Sequence, residues 1–303
     1  MGPRRKRGLD VHGVVLLDKP AGISSNRALQ RVRGIFQARK AGHTGSLDPF
    51  ATGMLPVCLG EASKTAAYML QAGKTYHATA RLGQATSTGD LEGEVVQSTG
   101  LPALDAAGIA RVLERFSGEI EQVPPMYSAL KHEGRPLYEY ARAGITIERP
   151  ARSVQIFQIS LQSWCPPDLE FLVHCSKGTY IRTLAEDIAS ALDSCAHLVE
   201  LRRLAVEPFD DLPMVTLEQL EQACEQGGLH DFLLPVDAGL RGWPRIDLDP
   251  VQQGKFMHGN QFPFTSDVVP AGKVRVYSPA GNVLGLADLT PVGILQPIRV
   301  FNL

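Results

Sequence analysis

Asp48 and His43 stand close together in the segment GHTGSLDPF, the densest stretch of the chain in residue types that can carry chemistry. The carboxylate of Asp48 could act as a nucleophile or exchange a proton with a substrate. Glycines on both sides of His43 and Thr44 permit a tight loop with unusual backbone angles. Asp48 followed by Pro49 is also the usual start of a helix, in which the aspartate only caps the backbone. The residues alone leave both interpretations open.

A second candidate segment, SKGTYIRTLAED at residues 176–187, lies where a predicted strand passes into a predicted helix. Alternation along an extended chain would send Tyr180 and Arg182 to the same side. An arginine there could pair with a buried carboxylate and hold it ionised and oriented. The alternative is that Arg182 is an ordinary surface residue at a helix start.

The sequence lacks the motifs that usually bind cofactors or metals. There is no Gly-x-Gly-x-x-Gly, and residues 60–65 lack the spacing of a phosphate-binding loop. The eight histidines are scattered, without a His/Cys/acid cluster at metal-ligand spacing. The number of cysteines is odd and no Cys-x-x-Cys occurs, so we expect reduced, buried thiols rather than disulfides or zinc ligands. We therefore predict no metal and no cofactor. The cysteines are Cys58, Cys165, Cys175, Cys195 and Cys224.

Length and composition favour a large domain followed by a small one. The chain has 303 residues, of which 44% are hydrophobic, enough to build a core. No apolar run approaches the roughly 20 residues that span a bilayer, and no apolar signal core follows the basic N-terminus. A cytoplasmic protein without a membrane segment is therefore expected.

The distribution of charge indicates a local basic face on a nearly neutral protein. The formal net charge is -2, yet residues 19–47 contain no acid and six basic side chains. Such a face can bind a polyanion, although a solvated helix surface would show the same pattern. The six are Lys19, Arg27, Arg31, Arg33, Arg39 and Lys40.

Strands and helices are mixed along the chain without a regular βαβ rhythm, which indicates an α+β fold. Alternation predicts strands at residues 14–17, 74–82, 153–164 and 170–174. Helices are predicted around residue 112, over residues 181–192, and from Ser24 or Ser25 to about Arg39. The last of these would place Leu29, Val32 and Phe36 on one face.

The chain changes character near residues 240–249, where glycine and proline become frequent. Short β-like runs follow, such as KVRVYS and ILQPIRVF, and they predict a small β-barrel module. We therefore expect a basic tail at residues 1–10, a catalytic domain at 11–240 and the module at 248–303. A junction of this kind predicts that the catalytic domain folds without the module.

Several stretches in order resemble the TruB family of tRNA pseudouridine synthases. The first two are GVVLLDKPAGISSN and AGHTGSLDPFATGMLPVCLGEASK, within residues 13–64. They are followed by KTYHATARLGQATSTGDLEG, IEQVPPMYSALKHEGRPLYEYARAG, SKGTYIRTLAEDI and AHLVELRRLAV. The Ser-Leu-Asp-Pro context of the aspartate differs from the Arg-Leu-Asp of the ribosomal pseudouridine synthases. The segment after residue 250 is more loosely similar to a PUA-type RNA-binding module.

The resemblance implies a fold, an activity and a partner. The fold is a mixed, mainly antiparallel central sheet with flanking helices and a cleft across its middle, plus the PUA-like module. The activity is the isomerisation of uridine 55 in the T-loop of tRNA to pseudouridine, without a cofactor. The partner is tRNA, bound through the T-arm and possibly the acceptor stem, and the protein is expected to act as a monomer with no obligatory protein partner.

The resemblance also assigns roles to individual residues. Asp48 matches the nucleophilic aspartate, Tyr76 the tyrosine that stacks on the target base, and His43 the histidine that fills the space left by flipped nucleotides. The remaining pocket residues would be Tyr180, Arg182 and Leu201. The basic run that begins at Lys19 would bind backbone phosphate.

Pseudouridine is an isomer of uridine, so the reaction gains and loses no electrons and needs no redox cofactor. The carboxylate could attack C1′ or C6, or remove a sugar proton, and the sequence does not choose among these. A nucleoside or glycoside hydrolase is a rival interpretation, but it would usually need a second carboxylate, for which Asp90 is the nearby candidate. The other rival is an RNA-binding scaffold without catalytic activity.

Overall fold

The computed structural model describes residues 8–266 and 268–303. Residues 1–7 of the predicted basic tail lie outside the described residues. The end of that segment is attached to the domain, because the backbone of Leu9 bonds to Gln37 and Arg39 at 2.7 and 3.0 Å. No helix in the described ranges is long and apolar enough to cross a membrane.

The N-terminal region contains the strands and helices that build the catalytic domain. Its strands are β1 (Gly13–Lys19), β2 (Ala41–His43), β3 (Thr52–Leu59), β4 (Lys74–Leu82), β5 (Gln84–Thr86), β6 (Val95–Ser98), β7 (Gly118–Gln122), β8 (Lys131–His132), β9 (Arg135–Pro136), β10 (Arg152–Cys165), β11 (Asp168–Cys175) and β12 (Ala196–Val206). Its helices are α1 (Ser25–Ile35), α2 (Ala66–Met69), α3 (Ala106–Glu114), α4 (Leu137–Arg142), α5 (Ile181–Ala191) and α6 (Leu217–Gln226).

Eight of these strands form one sheet in the order β1-β3-β12-β4-β11-β10-β7, with β2 added beside β3. The pairing of β3 with β12 is parallel, and the other pairings are antiparallel. Helix α3 packs against β10, and α5 packs against β12. The predicted mixed, mainly antiparallel sheet with flanking helices is therefore confirmed.

Strand β4 lies in the middle of this sheet and coincides with the predicted strand 74–82. Its alternating residues Tyr76, Ala78, Ala80 and Leu82 are buried in the main core cluster. A period of two suits a strand that has one face against a core. The alternation therefore places Tyr76 on the same side of the sheet as this core.

Helix α1 begins as predicted, because the Ser24 hydroxyl accepts a hydrogen bond from Arg27 N at 3.2 Å. Its predicted end near Arg39 is wrong. The helix ends at Ile35, and Gln37 has a φ of 49°, which breaks the helical path. The predicted apolar face is confirmed, since Leu29, Val32 and Phe36 are buried.

The C-terminal region forms a second, five-stranded sheet in the order β13-β15-β16-β17-β14. The sheet is a curled half-barrel, consistent with the predicted PUA-like module. Helix α7 within it was not predicted from the sequence. Its signals were present, since Asp249 caps the helix and Pro250 is its first residue, but they were interpreted as a linker. The elements are β13 (Arg245–Asp247), α7 (Pro250–Met257), β14 (Phe262–Pro263), β15 (Gly272–Tyr277), β16 (Val283–Leu289) and β17 (Ile294–Val300).

The two regions share a hydrophobic core. Leu286 and Phe301 of the C-terminal region belong to the same cluster of buried side chains as Val14 and Met54 of the N-terminal region. Polar contacts continue across this boundary, because Lys64 Nζ donates to the Val300 carbonyl at 2.8 Å. The module is therefore packed onto the catalytic domain, although the sequence around residues 240–249 resembles a linker.

All five cysteines are free thiols. Cys58, Cys175 and Cys195 are buried, as expected, whereas the prediction of burial is wrong for Cys165 and Cys224. These two lie at exposed positions, Cys165 at the end of β10 and Cys224 on α6. Among the described residues, no group of three or more His, Cys, Asp and Glu side chains is placed to hold a metal ion.

Candidate active site

A cleft of about 450 Å³ opens beside the centre of the large sheet. Its walls come from the loop after β2, from β4 and β12, from the start of α5 and from residues 127–130. Five of the residues predicted for the site line this cleft together. They are Asp48, Tyr76, Tyr180, Arg182 and Leu201.

Asp48 and Arg182 form an ion pair in this cleft. Arg182 Nε lies 3.0 Å from Asp48 Oδ2, and Nη2 lies 3.3 Å from Oδ1, so the contact is two-pronged. The guanidinium also donates to the carbonyls of Thr88 at 2.6 Å and Tyr127 at 2.7 Å. Arg182 is only 3% exposed, which excludes the interpretation that it is an ordinary surface residue.

The carboxylate of Asp48 faces the open side of the cleft, where 35% of its side chain is exposed. The cleft walls still enclose it, and this burial raises the pKa of Asp48 above its ordinary value. The Arg182 charge opposes the rise in pKa, and the nearby Asp90 charge adds to it. The site thus contains an accessible carboxylate whose orientation is fixed and whose ionisation depends on Arg182.

Asp48 does not cap a helix, so that interpretation of Asp48-Pro49 is wrong. Residues 44–51 form a loop without a helix, in which Ala51 N donates to the Asp48 carbonyl at 3.2 Å. Asp48 therefore projects its carboxylate into the cleft instead of bonding to the N-terminus of a helix. The local pattern was misleading because the chain after Pro49 continues directly into β3.

Tyr76 lies on β4 between Val173 of β11 and Arg203 of β12. It is 9% exposed, and burial raises the pKa of its hydroxyl, so the phenol stays neutral near pH 7. Tyr180 immediately precedes α5, and burial likewise raises the pKa of its hydroxyl. Two neutral aromatic side chains therefore stand on either side of the Asp48–Arg182 pair in the lining of the cleft.

Comparison with known proteins identifies the family. Residues 33–181 match the TruB family pseudouridylate synthase N-terminal domain, residues 182–241 the tRNA pseudouridylate synthase B C-terminal domain, and residues 244–301 the C-terminal domain of pseudouridine synthase II TruB. The tRNA pseudouridine synthase B of Actinobacillus pleuropneumoniae is 46% identical, with the whole of both chains covered. That of Burkholderia mallei is 49% identical, covering 97% of this chain and 98% of the relative.

The chain belongs to the TruB family of pseudouridine synthases. It is accordingly an isomerase, and the resemblance of its motifs to this family is confirmed. The family relatives also include the tRNA pseudouridine synthase B of Chromohalobacter salexigens, 48% identical over 99% of this chain and 97% of the relative.

Solved structures support the same fold. The structure titled as a Cbf5-Nop10-Gar1 complex has a chain that aligns with a TM-score of 0.72 at 25% identity, covering 96% of this chain and 84% of that one. A chain of the H/ACA RNP bound to a substrate RNA containing 2′-deoxyuridine aligns with the same TM-score at 23% identity, covering 96% and 86%. The second match shows the fold alone.

Lys19 does not belong to the exposed basic face on which this TruB-family chain was predicted to bind phosphate. Its side chain is fully buried, and its ammonium donates to the carbonyls of Pro20 at 2.9 Å, Ile23 at 2.8 Å and Pro49 at 3.2 Å. Burial lowers its pKa to about 8. Lys19 therefore ties the loop that carries Asp48 to the end of β1 and the approach to α1.

Arg203 is a functional candidate that the sequence analysis missed. It is 1% exposed on β12, and it donates to the carbonyls of Met54 at 2.7 Å and Gly45 at 3.1 Å. It thereby supports the start of the Asp48 loop from below. Strand alternation could have found it, because it is two residues after Leu201 and shares that residue's face of the sheet.

The backbones of β3 and β12 approach each other closely beneath this arginine. Gly53 has a φ of 100°, and a Cβ on it would lie 2.1 Å from the Arg203 carbonyl oxygen. Glycine is therefore required there both by its backbone angle and by the available space. The contact fixes the distance between the strand that follows the Asp48 loop and the strand that carries Leu201.

His43 lies on β2 opposite Val57, outside the lining of the Asp48 cleft. Burial lowers the pKa of its ring, and the Arg203 charge lowers it further, so the imidazole is neutral at pH 7. Its Nδ1 is buried and has no hydrogen-bond partner among the described residues. The structure thus brings His43 near the sequence of the loop but not into the cleft with Asp48.

Asp90, the candidate second carboxylate of a hydrolase, is buried and does not line the cleft. Its Oδ1 accepts hydrogen bonds from the Thr88 hydroxyl at 2.5 Å and from Glu92 N at 3.0 Å. Its Oδ2 lies 3.7 Å from Arg182 Nε. Asp90 therefore acts on Arg182 from within the protein, and no second carboxylate besides Asp48 lines the cleft in the described ranges.

The predicted basic face is partly neutralised by acids from elsewhere in the chain. Arg31 pairs with Glu221 at 2.6 Å, and Arg39 pairs with Asp10 at 2.9 Å. Neutralised cations contribute less to binding a polyanion. The exposed cations of this face that have no carboxylate within 4.0 Å in the described part of the chain are Arg27, Arg33 and Lys40.

Proposed function

We propose that this chain isomerises uridine 55 in the T-loop of tRNA to pseudouridine, with Asp48 as the nucleophile on a flipped-out base. The observation that carries the proposal is the pairing of Asp48 with Arg182 in a cleft whose described lining has no second carboxylate. The curated relatives named tRNA pseudouridine synthase B support tRNA as the substrate.

The reaction exchanges one bond to C1′ of the ribose for another. The C1′–N1 bond breaks, the uracil rotates, C5 bonds to C1′, the proton on C5 leaves and N1 gains a proton. Atoms and electrons balance without an oxidant, a reductant or a cofactor. Asp48 can begin this sequence by attacking C1′ or C6, or by removing a proton from the sugar, and a fixed, ionised carboxylate serves each of these routes.

Arg182 keeps Asp48 ionised and oriented during the reaction. A substrate base that covers the exposed side of Asp48 removes its remaining water, and this desolvation favours the protonated form. The guanidinium opposes that effect at 3.0 Å. Because the other Arg182 donors are bonded to backbone carbonyls, the arginine holds its place while the substrate enters and leaves.

The detached uracil needs a surface on which it can turn. Tyr76 offers an aromatic ring in the cleft, and stacking holds a base without fixing a hydrogen-bond register. Tyr180 and Leu201 enclose the base from the remaining sides. His43 fills the gap left in the RNA when the base is extruded, a step that costs a few kcal/mol.

The substrate is bound well beyond the cleft. The T-arm, and possibly the acceptor stem, would lie along exposed cations such as Arg27 and Lys40 and along the PUA-like module. Such phosphate contacts position the RNA without reading its sequence. The protein acts as a monomer in the cytoplasm, and it needs no metal, cofactor or obligatory protein partner.

The test is tritium release from a tRNA that carries C5-tritiated uridine only at position 55. The proposal requires release of tritium together with pseudouridine in the digested product. A hydrolase would instead liberate free uracil, and an inactive scaffold would bind the tRNA without releasing tritium. Tritium release from another labelled uridine, but not from position 55, would contradict the proposed target.

A further inference from the structure

A second cavity of about 280 Å³ lies directly beside the catalytic cleft. Leu130, Lys177, Gly178 and Tyr180 line both spaces, so they form the partition between them. The volume is close to the lower end of the roughly 300–1,000 Å³ found for small-molecule sites. The cavity therefore has room for a group about the size of one nucleotide and not for a helical stem.

The partition is held rigid by Gln122, a buried residue at the end of β7. Its amide oxygen accepts a hydrogen bond from Tyr180 N at 3.1 Å, and its amide nitrogen donates to the Tyr180 carbonyl at 3.3 Å. Both ends of this side chain are consequently occupied by the backbone of Tyr180. Gln122 shapes the cavity but has no free polar group for a ligand.

Two cations remain available to a ligand in this second cavity. Arg152 and Lys177 are exposed, and neither has a carboxylate within 4.0 Å in the described part of the chain. The Lys177 ammonium contacts only the neutral side-chain amide of Gln71. By contrast, Pro124 and Val154 on the walls are buried and apolar. The cavity thus combines an apolar interior with uncompensated positive charge, the combination that suits a base with its phosphate.

We propose that this cavity takes a nucleotide adjacent to the target uridine, with Arg152 and Lys177 binding its phosphate. The inference rests on the proposed function, because it uses the target uridine in the neighbouring cleft as its reference point. Since the two spaces share one wall, consecutive nucleotides of an unpaired segment can occupy them together. The nucleotide in the second cavity would hold the RNA in register while its neighbour reacts.

The test compares the parent protein with a variant carrying R152Q and K177Q, by single-turnover tritium release against enzyme concentration. The substrate is a ligated tRNA with C5-tritiated uridine at position 55. We expect the half-saturating concentration to rise roughly tenfold and the saturated rate to change by less than about twofold. The log–log salt dependence should flatten by about 0.7 per lost phosphate contact, the value for single strands. Arg111→Gln, an exposed charge change on α3, is the matched control and should behave as the parent does.

A neutral methylphosphonate, placed on either side of the target in two separate tRNAs, locates the contact. In one of them the parent should lose the same roughly tenfold, and the double variant should lose nothing more. Additive losses in both RNAs, or an unchanged half-saturating concentration of the variant, would overturn the proposal. Absence of tritium release by the parent on unmodified tRNA would contradict the proposed function itself, and it is seen before any variant is compared.

Discussion

The guanidinium of Arg182 lies between two carboxylates, with Asp48 Oδ2 at 3.0 Å and Asp90 Oδ2 at 3.7 Å from the same Nε atom. Asp48 faces the cleft, whereas Asp90 is buried in the turn behind it. The inner carboxylate compensates the buried positive charge and the outer one is left for chemistry. This division of labour has direct consequences for substitution and for pH.

Asp48→Asn should abolish turnover, by at least about 10³-fold, and leave tRNA binding nearly intact. The amide keeps the shape of the side chain but cannot act as a nucleophile or base. The checks are single-turnover tritium release and a filter-binding isotherm. Asp210→Asn, at an exposed position, is the control. Activity of the Asp48 variant within tenfold of the parent would rule out the assigned role.

The acid limb of the rate profile should reflect Asp48. Its pKa is raised by burial, so the rate should fall with decreasing pH at a value above the ordinary aspartate pKa of about 3.9. Arg182 lowers this pKa, so Arg182→Gln should move the limb to still higher pH, in addition to reducing the maximal rate roughly 10- to 100-fold. The measurement is the saturated single-turnover rate from pH 4 to pH 8 on tRNA shown to remain folded. A limb that stays in place in the variant would contradict the coupling.

Lys19→Met should slow the reaction without weakening tRNA binding. The substitution leaves three carbonyls of the Asp48 loop without their buried donor and should cost about 1–3 kcal/mol of stability. Lys40→Met is the matched comparison, because Lys40 is exposed and would lose a phosphate contact instead. Binding isotherms at two salt concentrations and thermal unfolding distinguish the two effects. A salt dependence altered by Lys19→Met would restore a direct phosphate contact for this lysine.

Tyr76→Phe and Tyr76→Leu should separate the ring from its hydroxyl. Stacking survives in the phenylalanine variant, whereas the leucine variant should lose roughly tenfold or more in rate. Both variants keep an apolar side chain in the core, so both should fold. Equal rates for parent and both variants would reduce Tyr76 to a packing residue of β4.

Removal of residues 249–303 should destabilise the rest of the chain, contrary to the expectation from the linker-like sequence. Leu286 and Phe301 are part of a core that includes Val14 and Met54, and their loss exposes that core. Phe301→Ala tests this in the full chain and should cost about 3–5 kcal/mol in denaturant unfolding. Val292→Ala, at a position that is 82% exposed, should stay within about 0.5 kcal/mol of the parent. Equal stability of the two variants would favour an independent module.

Local sequence signals predicted the elements better than the contacts between them. The alternation in β4 and the serine cap of α1 arise from neighbouring residues, and both were predicted. The pocket residues came from family resemblance, because their side chains meet only in the folded sheet. Lys19 and Arg203 were misjudged or missed because charged side chains are rarely buried. Their carbonyl partners, including Pro49 and Gly45, could not be identified from neighbouring residues.

The cluster that joins Val14 to Phe301 also constrains how the chain folds during synthesis. Strand β1 emerges among the first residues, yet part of its buried surface is covered only by side chains made near the other end of the described chain. Contacts between such distant residues slow folding, and an uncovered apolar strand is prone to association with other chains. We therefore expect the newly made polypeptide to depend on protection from aggregation until its last strands have docked.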